Sequence, residues 1–390
     1  MRQWLAPATA FESKEFAMTI PAMNPCPEDP SVAASAAAIL AERCSVLPGM
    51  GTSCAQFLHT PVAASRYDGA DYPKAKTKLN PIVMAGPLLA LAAFATQAHA
   101  AAPHEIPMAM YRDHPTVQVR IDQEESPLRF VVDTAAGVTV LDSDATHRLG
   151  LADAAAETVA VSGATDAAAQ IRRTREADWH IGGLDLRLSA MHTGLAHLAG
   201  DGDGPRIDGI LGNDVLRERD MVMSIPAARM LLSPPGTLPD APHCQANALP
   251  DRPEPMAGFG FIELRMGDQG VPVIAVVDTG AAQTVLNIAA AEALGLAMDG
   301  SDDRVRVREK GTRGLGAAVA DTWLYTLPVL RSKGWAHPPF EVRISALSIF
   351  SVLGLDTRPA LILGADALMD SELAMAAQAS RICLKRADGR

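Results

Sequence analysis

Basic residues are the minority in this 390-residue chain: 34 Lys and Arg stand against 45 Asp and Glu, a formal net charge of −11. No basic cluster is present to meet phosphates, which argues against nucleic acid or an anionic membrane surface as the main partner. Aromatic residues make up only 4%, and alanine supplies much of the 48% hydrophobic fraction, so the core must be built from Val, Leu, Ile and Met. That fraction still supports a full core and argues against wholesale disorder. Cysteine is scarce: Cys26, Cys44 and Cys54 precede residue 100, and Cys244 and Cys383 follow it. Two cysteines in an exported chain can pair or remain free thiols, and their spacing fits no metal signature. The later histidines (such as His147, His180, His192 and His197) lack His-x-x-x-His or Glu-flanked spacing, which argues against a metal site. Asp201-Gly-Asp203-Gly lacks the third acidic position and distal Glu of a calcium loop and reads as a solvated turn. No Gly-x-Ser-x-Gly elbow or phosphate loop competes, and no cofactor is called for.

Long apolar runs are also few. The one present lies within Pro81–Ala98, preceded by Lys74, Lys76 and Lys78 and followed by Ala98-His99-Ala100. Basic, apolar and small-x-small parts in that order make a secretory signal over 80–100. The apolar core sits at the lower limit for a membrane span. Pro87 and the Ala-rich middle favour cleavage after Ala100 over a lasting anchor or a buried helix. Residues 1–79 then read as a mis-assigned start or a disordered leader. The chain from 101 is expected to be periplasmic or secreted, and all of the −11 belongs to it.

What is abundant is repetition. Val131–Leu141 (VVDTAAGVTVL) and Val276–Leu286 (VVDTGAAQTVL) share eight of eleven positions at an offset of 145. Leu149-Gly150-Leu151 recurs at the same offset as Leu294-Gly295-Leu296, and Ile210–Leu216 (ILGNDVL) recurs as Ile362–Leu368 (ILGADAL). Three landmarks in one order mark a duplicated domain. The pattern predicts an N-terminal lobe at 101–233, a linker at 234–255 and a C-terminal lobe at 256–390. Seven prolines in the linker leave little room for regular structure.

Each unit opens with alternating strands, Thr116–Ile121 then Leu128–Val132, and Phe259–Met266 then Val271–Val277. Asp-Thr ends the second strand, a β-branched run follows, and a short helix (Ser143–Leu149, Ile288–Leu294) closes at Gly150 or Gly295. Gly-bearing hairpins are expected within Val159–Arg172 and Val305–Thr322. Each unit ends on the Ile-Leu-Gly strand, a helix (Asp214–Glu218, Ala367–Leu373) and a last strand (Met221–Leu232, Arg381–Lys385). Strands dominate, so the fold is all-β, two tandem barrels related by a pseudo-twofold axis with a cleft between them.

One Asp-Thr alone would be a turn former. Here each aspartate ends an apolar strand and is followed by another, a costly place for an idle carboxylate. Two such loops meeting at the pseudo-twofold axis would share one proton. The ionised member would activate a water and the protonated one would polarise a carbonyl.

On Phe130-Val-Val-Asp133-Thr-Ala-Ala-Gly and Ala275-Val-Val-Asp278-Thr-Gly-Ala, each with its downstream Ile-Leu-Gly, the sequence resembles the aspartic peptidases, specifically the retropepsin-like family. The resemblance covers most of 110–390 and implies a single-chain, two-lobed endopeptidase. It implies Asp133 and Asp278 as the catalytic dyad, and Thr134 and Thr279 as cross-loop hydrogen-bond partners. Ala135, Gly280, Gly212 and Gly364 are implied as dyad-supporting positions. Ala135 departs from the family's Gly. No Tyr lies between Asp133 and Gly212, which leans away from pepsin-like flaps. The expected partner is a peptide or protein substrate and the expected state is a monomer. A catalytically silent double barrel that binds peptides or envelope proteins is the alternative.

Overall fold

The computed structural model describes residues 102–387, apart from 123, 125, 162, 166–168, 196–197, 199–205 and 315–317. The expected signal and leader, the Asp201–Asp203 turn and His197 lie outside the described residues, as do Ser162 and Gly316 of the expected hairpins.

The protein is mostly β, folded as two lobes of curled sheet. In the first, Leu128–Val132 runs parallel to Gly209–Leu211, which pairs antiparallel with Val140–Asp142. In the second, Val271–Val277 runs parallel to Ala360–Leu363, which pairs antiparallel with Val285–Leu286. The inner strands are apolar on both faces because both faces are covered: every residue of Ala360–Leu363 is buried. The outer strands alternate, as Phe261–Met266 does, burying one face. A T-shaped contact between Phe130 and Trp179, with ring centroids 5.5 Å apart, anchors the first core.

One sheet joins the two lobes. Asp220–Ser224 pairs antiparallel with Ser371–Met375 and, on its other side, with Arg229–Ser233. Ser371–Met375 pairs in turn with Arg381–Arg386, which pairs with Cys244–Ala246. Regular structure therefore enters the Pro-rich segment, where little was expected, because Cys244–Ala246 finds an open strand edge. Cys244 and Cys383 stand opposite each other there and form a disulfide closing 139 residues of sequence.

Two expected elements are corrected. Met221–Leu232 is not one strand but a hairpin, turning at Ile225–Ala228 with Ala228 at a φ of 51°. The expected helix Ala367–Leu373 is a short 3₁₀ turn, Ala365–Leu368, and Ser371 already belongs to a strand. The Ser143–Arg148 and Ile288–Ala293 helices form close to expectation. Asp142 caps one by accepting from Asp144 and Ala145 N–H, and Asn287 caps the other by accepting from Ala290 N–H. Among the described residues, no helix is long and apolar enough to cross a membrane.

Candidate active site

Each aspartate sits where its inner strand ends. Asp133 N–H donates to the Leu211 carbonyl at 3.0 Å, and Asp278 N–H donates to the Leu363 carbonyl at 3.1 Å. The strand that follows each Asp-Thr lies against the other edge of the Ile-Leu-Gly strand of its own lobe. Gly212 and Gly364 are where that strand comes closest: a β-carbon on Gly212 would lie 2.5 Å from the Val138 carbonyl carbon, and one on Gly364 2.6 Å from that of Gln283.

The two loops are tied across the lobes by their threonines. Thr134 Oγ1 donates to the Val277 carbonyl at 2.7 Å, and Thr279 Oγ1 donates to the Val132 carbonyl at 2.6 Å. Each hydroxyl also accepts the other threonine's N–H, at 3.2 Å both ways. Both side chains are fully buried, so all four bonds are protected from water.

This lock brings Asp133 and Asp278 together, half-buried and hydrogen-bonded carboxyl to carboxyl. Burial pushes the Asp133 carboxyl above its usual range, against the pull of the Ala135 and Ala136 N–H groups. Those groups reach Asp133 Oδ1 at 2.9 and 2.8 Å. Asp278 is pushed up further, by burial and then by the charge of Asp133, with Ala281 N–H donating to its Oδ1 at 2.9 Å. Like charges this close cannot both form cheaply, which favours one proton shared between the two carboxyls.

Gly280 is pressed against the opposite carboxylate. A β-carbon there would lie 2.2 Å from Asp133 Oδ2, so no side chain fits. Ala135, its counterpart, is half-buried and packs against the second lobe's cluster of Phe259, Phe261, Val276 and Ile362. Its methyl group leaves both N–H bonds to Asp133 in place.

Sequence reasoning missed a supporting layer. Thr139 Oγ1 donates to Asp214 at 2.7 Å and accepts Gly212 N–H at 3.1 Å. Thr284 Oγ1 donates to Asp366 at 2.7 Å and accepts Gly364 N–H at 3.2 Å. The signal was present: all four polar residues lie inside the two repeated motifs, at matching positions. His114, also missed, reaches across from the first lobe, its Nδ1 lying 2.8 Å from the Gly280 carbonyl. A carbonyl only accepts, so that nitrogen carries the proton.

Two hairpins of opposite lobes touch as well. Thr158–Val161 pairs with Ala169–Arg173, and Thr312–Arg313 pairs with Val319–Ala320. Beyond them, Gly314 N–H donates to Thr165 Oγ1 at 3.2 Å, and Ile349 N–H and Ser348 Oγ donate to the Ala164 carbonyl at 3.3 and 3.2 Å. A cavity of about 710 Å³ lies elsewhere, lined by residues such as Arg120, Glu124 and His180 and by neither aspartate. Among the described residues one cluster has metal-ligand spacing, His243, Cys244 and Cys383, and both sulfurs are consumed in the disulfide.

Comparison with known proteins gives a family. The family model described as aspartyl protease matches residues 117–215 and again 262–367. No curated protein matches the chain.

Proposed function

The chain belongs to the aspartyl protease family, and from that premise we propose that Asp133 and Asp278 are one catalytic dyad, hydrolysing peptide bonds with a water activated between them. Asp133, steadied as the anion by Ala135 and Ala136 N–H, takes a proton from the water as it attacks the scissile carbonyl. Asp278, carrying the shared proton, donates to the carbonyl oxygen as negative charge develops there. The proton on Asp133 then passes to the leaving amine as the amide bond breaks, and a hydroxyl proton of the tetrahedral carbon returns to Asp278, leaving a carboxylic acid and the dyad as it began. The reciprocal threonine bonds between the loops carry this reading, because they hold two costly carboxyls in one place.

Lobes at 101–233 and 256–390, joined through 234–255, would supply one half-site each, so a monomer suffices. The touching hairpins would cover the bound peptide as flaps. The disulfide and the segment before residue 101 together support export to an oxidising compartment. A silent binding module would rest on Ala135, and that residue leaves the loop's hydrogen bonds intact.

A peptide-library digest by the purified protein, scanned from acidic to neutral pH beside Asp278→Asn, tests the proposal. Cleavage by the parent that vanishes in the variant is expected. Cleavage that survives in the variant would place the chemistry at another site.

A further inference from the structure

The duplication supplies an internal control at every position, and one equivalent pair breaks the likeness sharply. In the first lobe, Met191–Thr193 runs parallel to Val140–Asp142, and Met191 N–H donates to the Thr139 carbonyl at 2.9 Å. In the second, Phe340–Ser345 runs parallel to Val285–Leu286, and Arg343 N–H donates to the Thr284 carbonyl at 2.9 Å. Arg343 therefore occupies the place of Met191, and Gln283 the place of Val138. Met191 is buried in an apolar cluster with Val131, Val140 and Ile210, with Val138 packed on it. Arg343 instead gives its Nε–H to Gln283 Oε1 at 2.7 Å and reaches Thr312 Oγ1 from Nη1 at 3.4 Å.

The fold does not need a cation here, since the first lobe does without one. The guanidinium is half-buried, yet among the described residues no carboxylate lies within ion-pair distance of it. The nearest anions are already engaged: Glu341 pairs with Arg306, and Asp366 accepts from Thr284 and Ala367. A second half-buried arginine, Arg308, lies close enough to repel it. Burial and that repulsion lower Arg343 to about 10, which leaves it charged at neutral pH and short of a counter-ion. Its two contacts locate it. Gln283 is on the loop that carries Asp278, and Thr312 is on the hairpin whose end meets Thr165 of the other lobe.

We propose that Arg343, with Arg308 beside it, is a specificity residue that takes a carboxylate of the bound peptide, while the equivalent Val138–Met191 position takes an apolar side chain. The proposal rests on the dyad reading for its substrate. A planar guanidinium with free N–H groups suits a carboxylate, which would replace the missing counter-ion. The carboxylate can come from an Asp or Glu side chain or from the peptide's own C-terminus.

The test is a digest of a positional-scanning octapeptide library by the full chain, in two arms, with amidated and with free C-termini. Acidic residues are expected at one subsite of cleaved peptides, with kcat/KM for a Glu peptide above its Gln twin by about ten- to a hundredfold, the worth of a charge-assisted hydrogen bond. Enrichment confined to the free-terminus arm assigns the carboxylate to the chain end. Arg343→Met is expected to bring the Glu/Gln ratio close to one, through KM for the Glu peptide, and Arg343→Lys to keep it above one. A parent that cleaves both twins alike in both arms overturns the proposal, as does a preference that survives Arg343→Met. If the parent cleaves nothing, the dyad reading fails separately, and the library is passed over the immobilised parent and Arg343→Met. Acidic peptides held by the parent alone sustain the assignment; equal retention, including none, overturns it.

Discussion

Where the first lobe places Ala135 against an apolar cluster, the second presses Gly280 onto the carboxylate of Asp133. Where the second lobe has Phe259, the first has His114, bonded to that same Gly280. With Val138 and Met191 standing opposite Gln283 and Arg343, four equivalent pairs differ. The surroundings of the first aspartate loop are apolar, while polar groups from both lobes gather around the second. The backbone bonds, the threonine lock and the Thr–Asp–Gly layer are the same in both. Duplication thus kept what positions the carboxyls and varied what surrounds them, as expected if positioning is symmetric and substrate contact is not.

The most severe break of the comparison removes either carboxylate. Asp133→Asn and Asp278→Asn should each lower kcat/KM by about a thousandfold or more, since each half of an acid–base pair fails without the other. The parent should lose activity toward acid as Asp133 is protonated, and toward base as Asp278 gives up its proton. Because both carboxyls are raised, this window sits above the usual carboxylate range. Kinetics of the three proteins across pH test it, and a rate rising steadily through about pH 9 would contradict a shared proton.

Exchanging the residues beside the aspartates asks whether the lobes are interchangeable. Gly280→Ala should destabilise by about 1–3 kcal/mol and strip most activity, because the new methyl group must displace Asp133. Ala135→Gly, the mirror change, should cost only about 0.5–1 kcal/mol, from added chain freedom and a lost apolar contact. Equal effects in denaturant melts would mean that the asymmetry at this pair is decorative. By contrast, Thr134→Val and Thr279→Val should behave as twins, each costing about 1–3 kcal/mol by leaving a buried carbonyl and N–H unpaired. A large difference between those two would show that the lock is less symmetric than its distances.

The symmetric features are the ones that were legible in the sequence. Asp133, Asp278 and the two Ile-Leu-Gly strands stand out because a spacing repeated twice is hard to produce by chance. Thr139, Asp214, Thr284 and Asp366 were equally visible and went unread, since a Thr or Asp near a strand end has many uses. The asymmetric features left no such trace. Arg343 and Met191 lie outside the repeated motifs, and only strand register makes them equivalent. The pairing of Cys244 with Cys383 likewise depends on a strand edge formed 139 residues away. Within Met221–Leu232, Pro226 did mark the turn at Ile225–Ala228, but the apolar residues on both sides of it read as one continuous strand.

The smallest expected effect belongs to His114, and it separates the lobes by pH. Burial lowers its pKa below the ordinary histidine value of 6.5, against the Gly280 bond and the nearby charge of Asp113, both of which favour the cation. The sign follows from that lowering. Above pH 6.5 the imidazole is neutral whether the chain is folded or not, and its titration has no effect on stability. As pH falls below 6.5, the unfolded chain takes up a proton that the folded one resists, and stability is lost until the folded pKa is passed. The raised carboxyls of the dyad act the other way, weakening the fold as pH rises. Subtracting a variant isolates His114 from them. His114→Phe copies the residue at the equivalent position of the second lobe and removes the titration along with the Gly280 bond. Its melting temperature should sit slightly below the parent's near pH 7.5, and the gap should close as pH falls from about 6.5 toward 5. Parallel curves would mean that His114 gains and loses its proton equally in both states, so that its bond to Gly280 serves packing alone.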